Sequence, residues 1–269
     1  MSFYMKYTRV FKLGVQASLE YRSDFVFSLA SAFFPIIIQY YIWTAVYGQS
    51  DKSEFFGYTY GEMVLYTIMA AVVTKIVATN MDHVIASDIK NGSLNKHLVQ
   101  PADYFGLKLF SLLGQKMFFF SVMLAILFAV LLYFSALYEI RIPAGNLACF
   151  AAALVLSLLL NFLISYTIAA IAFWLSEISY FFEMTGLFVI ILSGGVFPVE
   201  VFGETMNTVL SYLPFKYTIY FPANVINGKL GMNDVLEGML MQAFWIAAML
   251  LVSKTVWRIG LKKYLGLGG

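Results

Sequence analysis

The sequence predicts an all-α membrane protein with six transmembrane helices, and three observations support this prediction. Hydrophobic residues make up 61% of the 269 residues, charged residues make up only 12%, and the mean hydropathy is +0.80. A soluble domain carries about 25% charged residues and could not cover so much apolar surface. Several uncharged stretches are also long enough to cross about 30 Å of hydrocarbon at about 1.5 Å per residue.

Residues 1–24 predict a helix that lies in the membrane interface. Apolar and aromatic residues recur at helical spacing, and the basic residues fall largely on another face of the helix. The apolar set is Phe3, Tyr4, Tyr7, Phe11, Val15 and Leu19, and the basic set is Lys6, Arg9, Lys12 and Arg22. A positively charged leader is the alternative. The following apolar run is longer than that of a signal peptide and has no small-x-small cleavage site, so we expect the first span to be retained.

Six apolar stretches predict the six spans. They cover residues 25–47, about 62–81, 117–138, a stretch that begins after Pro143 and Gly145 and ends near Trp174, 178–194 and 236–253. Pro35 in the first stretch is tolerable in a membrane helix. The fifth stretch is shorter than the others and contains Glu183.

The distribution of lysine and arginine predicts that both termini are cytoplasmic. The cytoplasmic side would hold Lys6, Arg9, Lys12, Arg22, Lys90, Lys96, Lys108, Lys254, Arg258, Lys262 and Lys263. The outer side would hold only Lys52, Arg141, Lys216 and Lys229. An excess of basic residues in cytoplasmic loops is the expected bias in membrane proteins.

Several classes of function are excluded by residues that the sequence lacks. The single cysteine, Cys149, rules out a disulfide framework and a thiolate zinc site, and His83 and His97 lack a helical spacing for metal ligands. No G-x-x-x-x-G-K-[ST], H-E-x-x-H, C-x-x-C or nucleophile-elbow motif occurs. We therefore expect no catalytic residues, metal site or bound cofactor in this chain. A net charge of +2 without a basic stripe also argues against nucleic-acid binding.

The loop between spans two and three, residues 82–106, predicts two short helices separated by a break. Asn91-Gly92 can adopt the left-handed conformation that ends a helix, and Ser93 can cap the next one. Leu94 and Leu98 lie on one face of this second helix, and Pro101 ends it. An apolar face on a helix too short to span a membrane suits a groove on a partner. The alternative is that this loop packs on the membrane ends of its own chain.

A pair of glycines predicts a break in span five. Gly194-Gly195 can end the helix before it crosses the membrane, with Pro198 following. Irregular backbone at membrane depth is tolerated where protein or a water-filled cavity surrounds it, so residues 194–222 are expected to form an outer re-entrant segment that shapes a gate. The alternative is close packing of small residues between helices.

Three polar residues within the spans are candidates for a substrate pathway: Lys75, Asn161 and Glu183. Polar groups in the membrane are costly and mark pathways, but each has a simpler interpretation. Lys75 can extend toward the interface, Glu183 can be exposed there, and Asn161 can hydrogen-bond to a neighbouring helix.

Three segments in chain order carry a resemblance to a known family. The first is D-I-K-N-G-S-L-N-K-H-L-V-Q-P over residues 88–101, with Leu107-Lys108-Leu109 opening the third span. The second joins residues 193–198 to residues 210–215 and Tyr217, and the third is the tail at residues 257–264. In this order they resemble ABC transporter permeases of type two. The tail is similar to a subset that includes viologen-exporter-type permeases.

The resemblance implies one permease domain over residues 1–269 in a bacterial cell membrane, exporting an amphipathic or lipophilic substrate such as a drug, lipid or peptide. It implies two copies of a separate ATPase, which would bind ATP and Mg, and a second permease chain, identical or homologous. The residues that couple to the ATPase would be Ile85, Asp88, Ile89, Lys90, Asn91, Gly92, Leu94, Leu98 and Pro101, and those of the outer gate would be Gly194, Gly195 and Pro198. A passive channel or an integral membrane enzyme without ATPase coupling is the alternative.

Overall fold

The computed structural model describes residues 3–20, 22–50, 52–138, 144–175 and 179–266. Arg141, Pro143 and Ile178, which helped to delimit the predicted loops and spans, lie outside these ranges. The helices are α1 (Phe3–Glu20), α2 (Arg22–Gly48), α3 (Tyr60–Val77), α4 (Met81–Lys90), α5 (Leu94–Leu98), α6 (Tyr104–Tyr138), α7 (Ala144–Ala169), α8 (Ser179–Leu192), α9 (Glu204–Ser211), α10 (Tyr220–Ile226) and α11 (Met232–Gly266). Three short 3₁₀ helices cover Ala170–Phe173, Val199–Phe202 and Phe215–Tyr217.

Four described segments are long and apolar enough to cross a membrane. They are Tyr60–Lys90, Tyr104–Ala129, Gly145–Phe173 and Met232–Tyr264. Helix α2 has 27 residues, whereas α8 has 14, which at about 1.5 Å per residue is shorter than the hydrocarbon core. The predicted fold class, an all-α membrane protein, is confirmed, and the count of six spans stays a prediction.

A two-stranded hairpin precedes α3. Strands β1 (Glu54–Phe55) and β2 (Tyr58–Thr59) pair antiparallel. Thr59 caps α3: its hydroxyl accepts a hydrogen bond from the Glu62 amide at 3.4 Å, and the Glu62 carboxylate accepts one from the Thr59 amide at 2.8 Å. This reciprocal pair satisfies two amides of the first turn and fixes where α3 begins. We call this end of the molecule the hairpin end, and the other, which carries α4 and α5, the α4/α5 end.

Among the described residues, the core consists of two buried clusters, one toward each end. The hairpin-end cluster is built around α3 and includes Tyr58, Met63, Tyr66, Met69, Val73, Ile76, Phe150, Tyr220 and Phe221. The α4/α5-end cluster includes Ile85, Ile89, Leu94, Tyr104, Leu112, Phe162, Tyr166, Phe173 and Phe182. Helix α3 is central because twelve of its residues are buried.

Helix α1 packs directly against the first part of α6, a contact that the sequence analysis did not predict. A Cβ on Gly114 would lie 2.2 Å from the Phe11 carbonyl oxygen, and one on Gly14 would lie 2.7 Å from the Ser111 carbonyl oxygen. Only residues without a side chain allow the two backbones to approach so closely. Residues 1–24 thus contain a helix where one was predicted, while its place in the membrane interface stays a prediction.

Helix α6 begins at Tyr104, well before the apolar stretch from Met117 that predicted the third span and close to Leu107, where the family resemblance opens that span. Lysine is a good helix former, so the lysines at its start do not interrupt the helix, and both have partners. Lys108 forms an ion pair with Asp88 at 2.6 Å, and Lys116 donates to the Lys75 carbonyl at 3.1 Å. The loop predicted over residues 82–106 therefore ends within α6. Helix α11 is likewise longer at both ends than the predicted range of 236–253.

Candidate functional site

Residues 81–101, which we call the α4–α5 segment, have the predicted form of two short helices with a break. Helix α4 ends at Lys90, Asn91 occupies its C-cap, and Gly92 adopts a φ of 70°. Glycine reaches this left-handed conformation without the steric cost that a Cβ imposes. Ser93 occupies the N-cap of α5, as predicted, but its side chain makes no capping hydrogen bond.

The apolar face of the α4–α5 segment is turned into its own chain. Ile85, Ile89 and Leu94 are buried in the α4/α5-end cluster, with Leu94 completely inaccessible. This is the packing that the sequence analysis left open as an alternative. These three side chains attach the segment to the membrane helices and present no surface to a partner.

Hydrogen bonds and an ion pair also attach the segment to the membrane helices. The Asp88 carboxylate accepts a hydrogen bond from the Tyr104 hydroxyl at 2.6 Å and pairs with the Lys108 ammonium at 2.6 Å, and the carboxylate and ammonium side chains are both largely buried. The Lys90 ammonium donates to the Leu175 carbonyl, just beyond α7. Charge-assisted bonds of this kind are short and directional, so α4 is held firmly to α6 and to the end of α7.

Trp257 of α11 joins three helix ends beside the segment. Its ring stacks on Tyr104 of α6 at a centroid distance of 5.1 Å and an angle of 13°. It also contacts Tyr166 of α7 at 4.9 Å and Phe173 at 5.2 Å. Aromatic contacts at these distances contribute beyond the burial of their area. A displacement of α4 would therefore be passed to α6, α7 and α11 together.

The end of α5 carries the most exposed apolar side chain of the segment, and Val84 of α4 is also 43% exposed. Val99 is 84% exposed and Leu98 is 38% exposed. Just beyond them, the Pro101 carbonyl accepts a hydrogen bond from the Lys6 ammonium at 2.8 Å, which ties this end to α1. We call Leu98 and Val99 the exposed tip.

The two histidines have separate surroundings. The ring of His97 contacts that of Tyr104 at 5.2 Å, and burial, assisted by the charge of Lys108, lowers the pKa of His97. Its imidazole is therefore neutral at pH 7. His83 lies 4.0 Å from the Glu183 carboxylate. Among the described residues, no group of three or more His, Cys, Asp or Glu side chains is placed to hold a metal ion.

The Gly194-Gly195 pair forms a bend after α8. Gly194 has a φ of 78°, and its carbonyl accepts a hydrogen bond from the Tyr66 hydroxyl at 2.6 Å. A Cβ on Gly194 would lie 2.8 Å from that hydroxyl, and one on Gly195 would lie 2.9 Å from the Ile190 side chain. Pro198 is the N-cap of the 3₁₀ helix that follows, Val199–Phe202. The bend therefore shows the close packing of small residues that was the alternative to a gate. Its role as a gate stays a prediction.

A buried polar cluster that the sequence analysis missed surrounds this bend. The Tyr58 hydroxyl donates to the Asn224 side chain at 2.9 Å, and Tyr220 donates to Glu200. Burial, assisted by the charge of Glu200, raises the pKa of Tyr58, so its hydroxyl remains a donor. The Lys229 ammonium lies 3.0 Å from the centre of the Tyr58 ring. Because Tyr58 and Asn224 are 166 residues apart, no local pattern could indicate this contact.

The three predicted pathway residues do not form one site. Asn161 donates to the Val77 carbonyl at 2.7 Å, which is the interhelical bond given as its alternative. The Lys75 ammonium donates to the Ser31 hydroxyl at 3.2 Å. The Glu183 side chain is 78% exposed. Asn161 and Lys75 line different cavities, on either side of the α3–α4 junction.

A family model described as "ABC-2 family transporter protein" matches residues 33–268. The chain belongs to the ABC-2 transporter family. It is therefore the permease component of an ABC transporter: a multi-pass membrane subunit that is not itself catalytic and that associates with an ABC ATPase. Comparison with curated proteins and with solved structures gives no match.

The match to the ABC-2 family spans both the α4–α5 segment and the bend after α8. Its range begins within α2, so α1 lies before it. The match is to the family as a whole. The similarity to viologen-exporter-type permeases therefore stays a prediction.

Proposed function

We propose that this ABC-2 permease is the membrane subunit of an ATP-driven exporter in a bacterial cell membrane, with both termini cytoplasmic. It would move an amphipathic or lipophilic substrate outward from the cytoplasm or the inner leaflet. Two copies of an ATPase, binding ATP and Mg, would drive it, together with a second permease chain, identical or homologous. Family membership and the predicted excess of basic residues on one side support this arrangement.

The observation that carries the proposal is the combination of a firmly attached α4–α5 segment and its exposed apolar tip. An element that receives motion from a soluble partner needs apolar side chains at its surface and a stiff connection to the membrane helices. Val99 and Leu98 supply the first requirement. Asp88, Lys108 and Trp257 supply the second.

In this mechanism, closure of the ATPase moves the exposed tip, and the segment moves the helices to which it is bound. The motion would pass through Asp88 to α6 and through Trp257 to α7 and α11. Movement of α3 and α10 would then reach the bend at Gly194, which both helices contact through Tyr66 and Tyr220. Rigid elements that rock around a central site are an established way to alternate access.

The test is replacement of Val99 by Asp in the full chain, expressed with its ATPase and purified in mild detergent. A charge at the tip would have to be desolvated against an apolar partner surface, so we expect recovery of the ATPase to fall at least about tenfold, as for loss of an interface hot spot. Recovery is scored by a co-purifying chain that carries a P-loop motif and hydrolyses ATP.

Val209→Asp is the matched control, because Val209 is also exposed and lies on α9 at the hairpin end of the molecule. This variant should retain the ATPase. Leu94→Ala is unsuitable, since Leu94 is fully buried and its truncation would create a cavity. Equal ATPase recovery with Val99→Asp and with the unmodified chain would contradict the proposal. Ion flux through the chain without ATP would support the channel alternative instead.

A further inference from the structure

A cavity of about 640 Å³ opens between α1, the α3–α4 junction and the first half of α6. Its volume lies within the roughly 300–1,000 Å³ of small-molecule sites. The junction is marked by Asn80, which adopts a φ of 48° and separates the long α3 from α4. The cavity therefore lies where the membrane helix meets the α4–α5 segment.

The charges that line this cavity are all positive among the described residues. Lys75, Lys108 and Lys116 line it, and no aspartate or glutamate does. Lys108 is neutralised by its ion pair with Asp88 at 2.6 Å. The charges of Lys75 and Lys116 remain.

The hydrogen bonds observed for these two lysines go to neutral oxygen atoms. Lys116 donates to the Lys75 carbonyl at 3.1 Å and lies 5.0 Å from the centre of the Phe119 ring. Lys75 donates to the Ser31 hydroxyl at 3.2 Å. Two neighbouring cations, one of them deeply placed, repel each other and have lost part of their hydration. An anion between the two ammonium groups would reduce their repulsion and replace the hydration that they have lost.

The rest of the lining is divided between polar and apolar groups. Ser18, Thr79, Asn80, Ser111 and Gln115 are polar, whereas Ala17, Ala78, Met81, Val84, Leu112, Phe118 and Phe119 are apolar. The hydroxyls of Ser18 and Thr79 already donate to the Val15 carbonyl and the Ser165 hydroxyl, which leaves Asn80, Ser111 and Gln115 as donors. A free inorganic anion would use only the polar part. A molecule with an anionic head and an apolar body would use both.

We propose that this cavity binds the anionic headgroup of an amphiphile from the adjacent leaflet, with Lys75 and Lys116 as the cationic contacts. Basic pockets between membrane helices on the cytoplasmic side are suited to lipid headgroups. Transport of this amphiphile would rest on the proposed function, but its binding does not, because binding requires neither ATP nor the ATPase.

The test is native mass spectrometry of the purified full chain titrated with phosphatidylglycerol, phosphatidylcholine or inorganic phosphate. We expect retention of phosphatidylglycerol in preference to phosphatidylcholine. Lys75→Gln should weaken that retention about fivefold, which corresponds to about 1 kcal/mol per lysine near a membrane surface. Lys75→Arg should restore it. Lys254→Gln, at an exposed position of α11, is the matched control and should leave retention unchanged.

The outcomes separate the sources of the anion. Equal retention of the two lipids, or an equal loss with Lys254→Gln, would overturn the proposal. Displacement of phosphatidylglycerol by an equal concentration of inorganic phosphate would overturn the assignment to an amphiphile. Lys116→Gln is a second test of the same site. A loss of phosphatidylglycerol retention equal to that of Lys75→Gln supports a site shared by the two lysines. Should Lys116→Gln fail to fold, the comparison of Lys75→Gln with Lys75→Arg still decides the question.

Discussion

Gly186 and Gly194 lie close together in the chain, yet their surroundings differ. Gly186 is inside α8, and a Cβ there would meet nothing within 4 Å. Gly194 follows α8 with a φ of 78°, and a Cβ there would lie 2.8 Å from the Tyr66 hydroxyl. The same substitution at these two positions therefore separates the effect of helix propensity from the effect of the bend.

We expect Gly194→Ala to destabilise the permease by about 1–3 kcal/mol, because alanine is strained at positive φ and its Cβ would displace Tyr66. Gly186→Ala should be neutral or stabilising by up to about 1 kcal/mol, since alanine is the better helix former. Thermal unfolding of the purified chain in detergent measures both. Equal melting temperatures for the two variants would show that the bend does not need glycine.

Individual residues of the α4–α5 segment were only partly predictable. The spacing of Leu94 and Leu98 placed them on one face, and the structure buries Leu94 while exposing 38% of Leu98. A five-residue helix has too few turns for its pattern to show which part of a face is covered. Leu94 is covered by a cluster that includes residues of α7 and α11, which are far away in sequence, and the ion pair of Asp88 with Lys108 likewise depends on tertiary packing.

At the scale of elements, the sequence predicted the presence of the helices better than the residues at which they begin and end. The Asn-Gly pair located the break between α4 and α5, because Gly92 needs a positive φ. Hydropathy placed the start of the third span too late, at Met117, because Lys108 and Lys116 lie before the uncharged stretch, whereas the family resemblance opened the span at Leu107. Lys108 and Lys116 have polar partners, which reduce the free-energy cost of placing a lysine in a membrane helix. Hydropathy alone cannot reveal such partners.

The contact between α1 and α6 depends on glycine in both helices. We expect Gly114→Ala to force α1 away from α6, because its Cβ would lie 2.2 Å from the Phe11 carbonyl oxygen. Hydrogen exchange of the α1 amides, Phe3–Glu20, should become faster as tertiary protection is lost. Gly186→Ala is the control and should leave α1 exchange unchanged. Unchanged exchange in Gly114→Ala would contradict the observed packing.

At the scale of the whole molecule, two buried clusters connect the two ends of the permease. The α4/α5-end cluster joins the segment to α6, α7 and α11, and the hairpin-end cluster joins α3 to α10 and the bend. Helices α3 and α7 run between the ends, and Asn161 bonds one to the other through the Val77 carbonyl. Family membership assigns the permease its role in transport. The contacts between the two ends form a continuous route along which motion would pass.

The most direct test of ATPase coupling is cross-linking from position 99 in native membranes. Val99→Cys is introduced into a chain with Cys149→Ser, and membrane vesicles that contain the ATPase are treated with a short cross-linker that has a thiol-reactive group at one end and a photoactivated group at the other. We predict a covalent product between position 99 and the ATPase subunit. Val209→Cys, the matched exposed position at the hairpin end, should give no such product. A product from position 209 and none from position 99 would contradict the account.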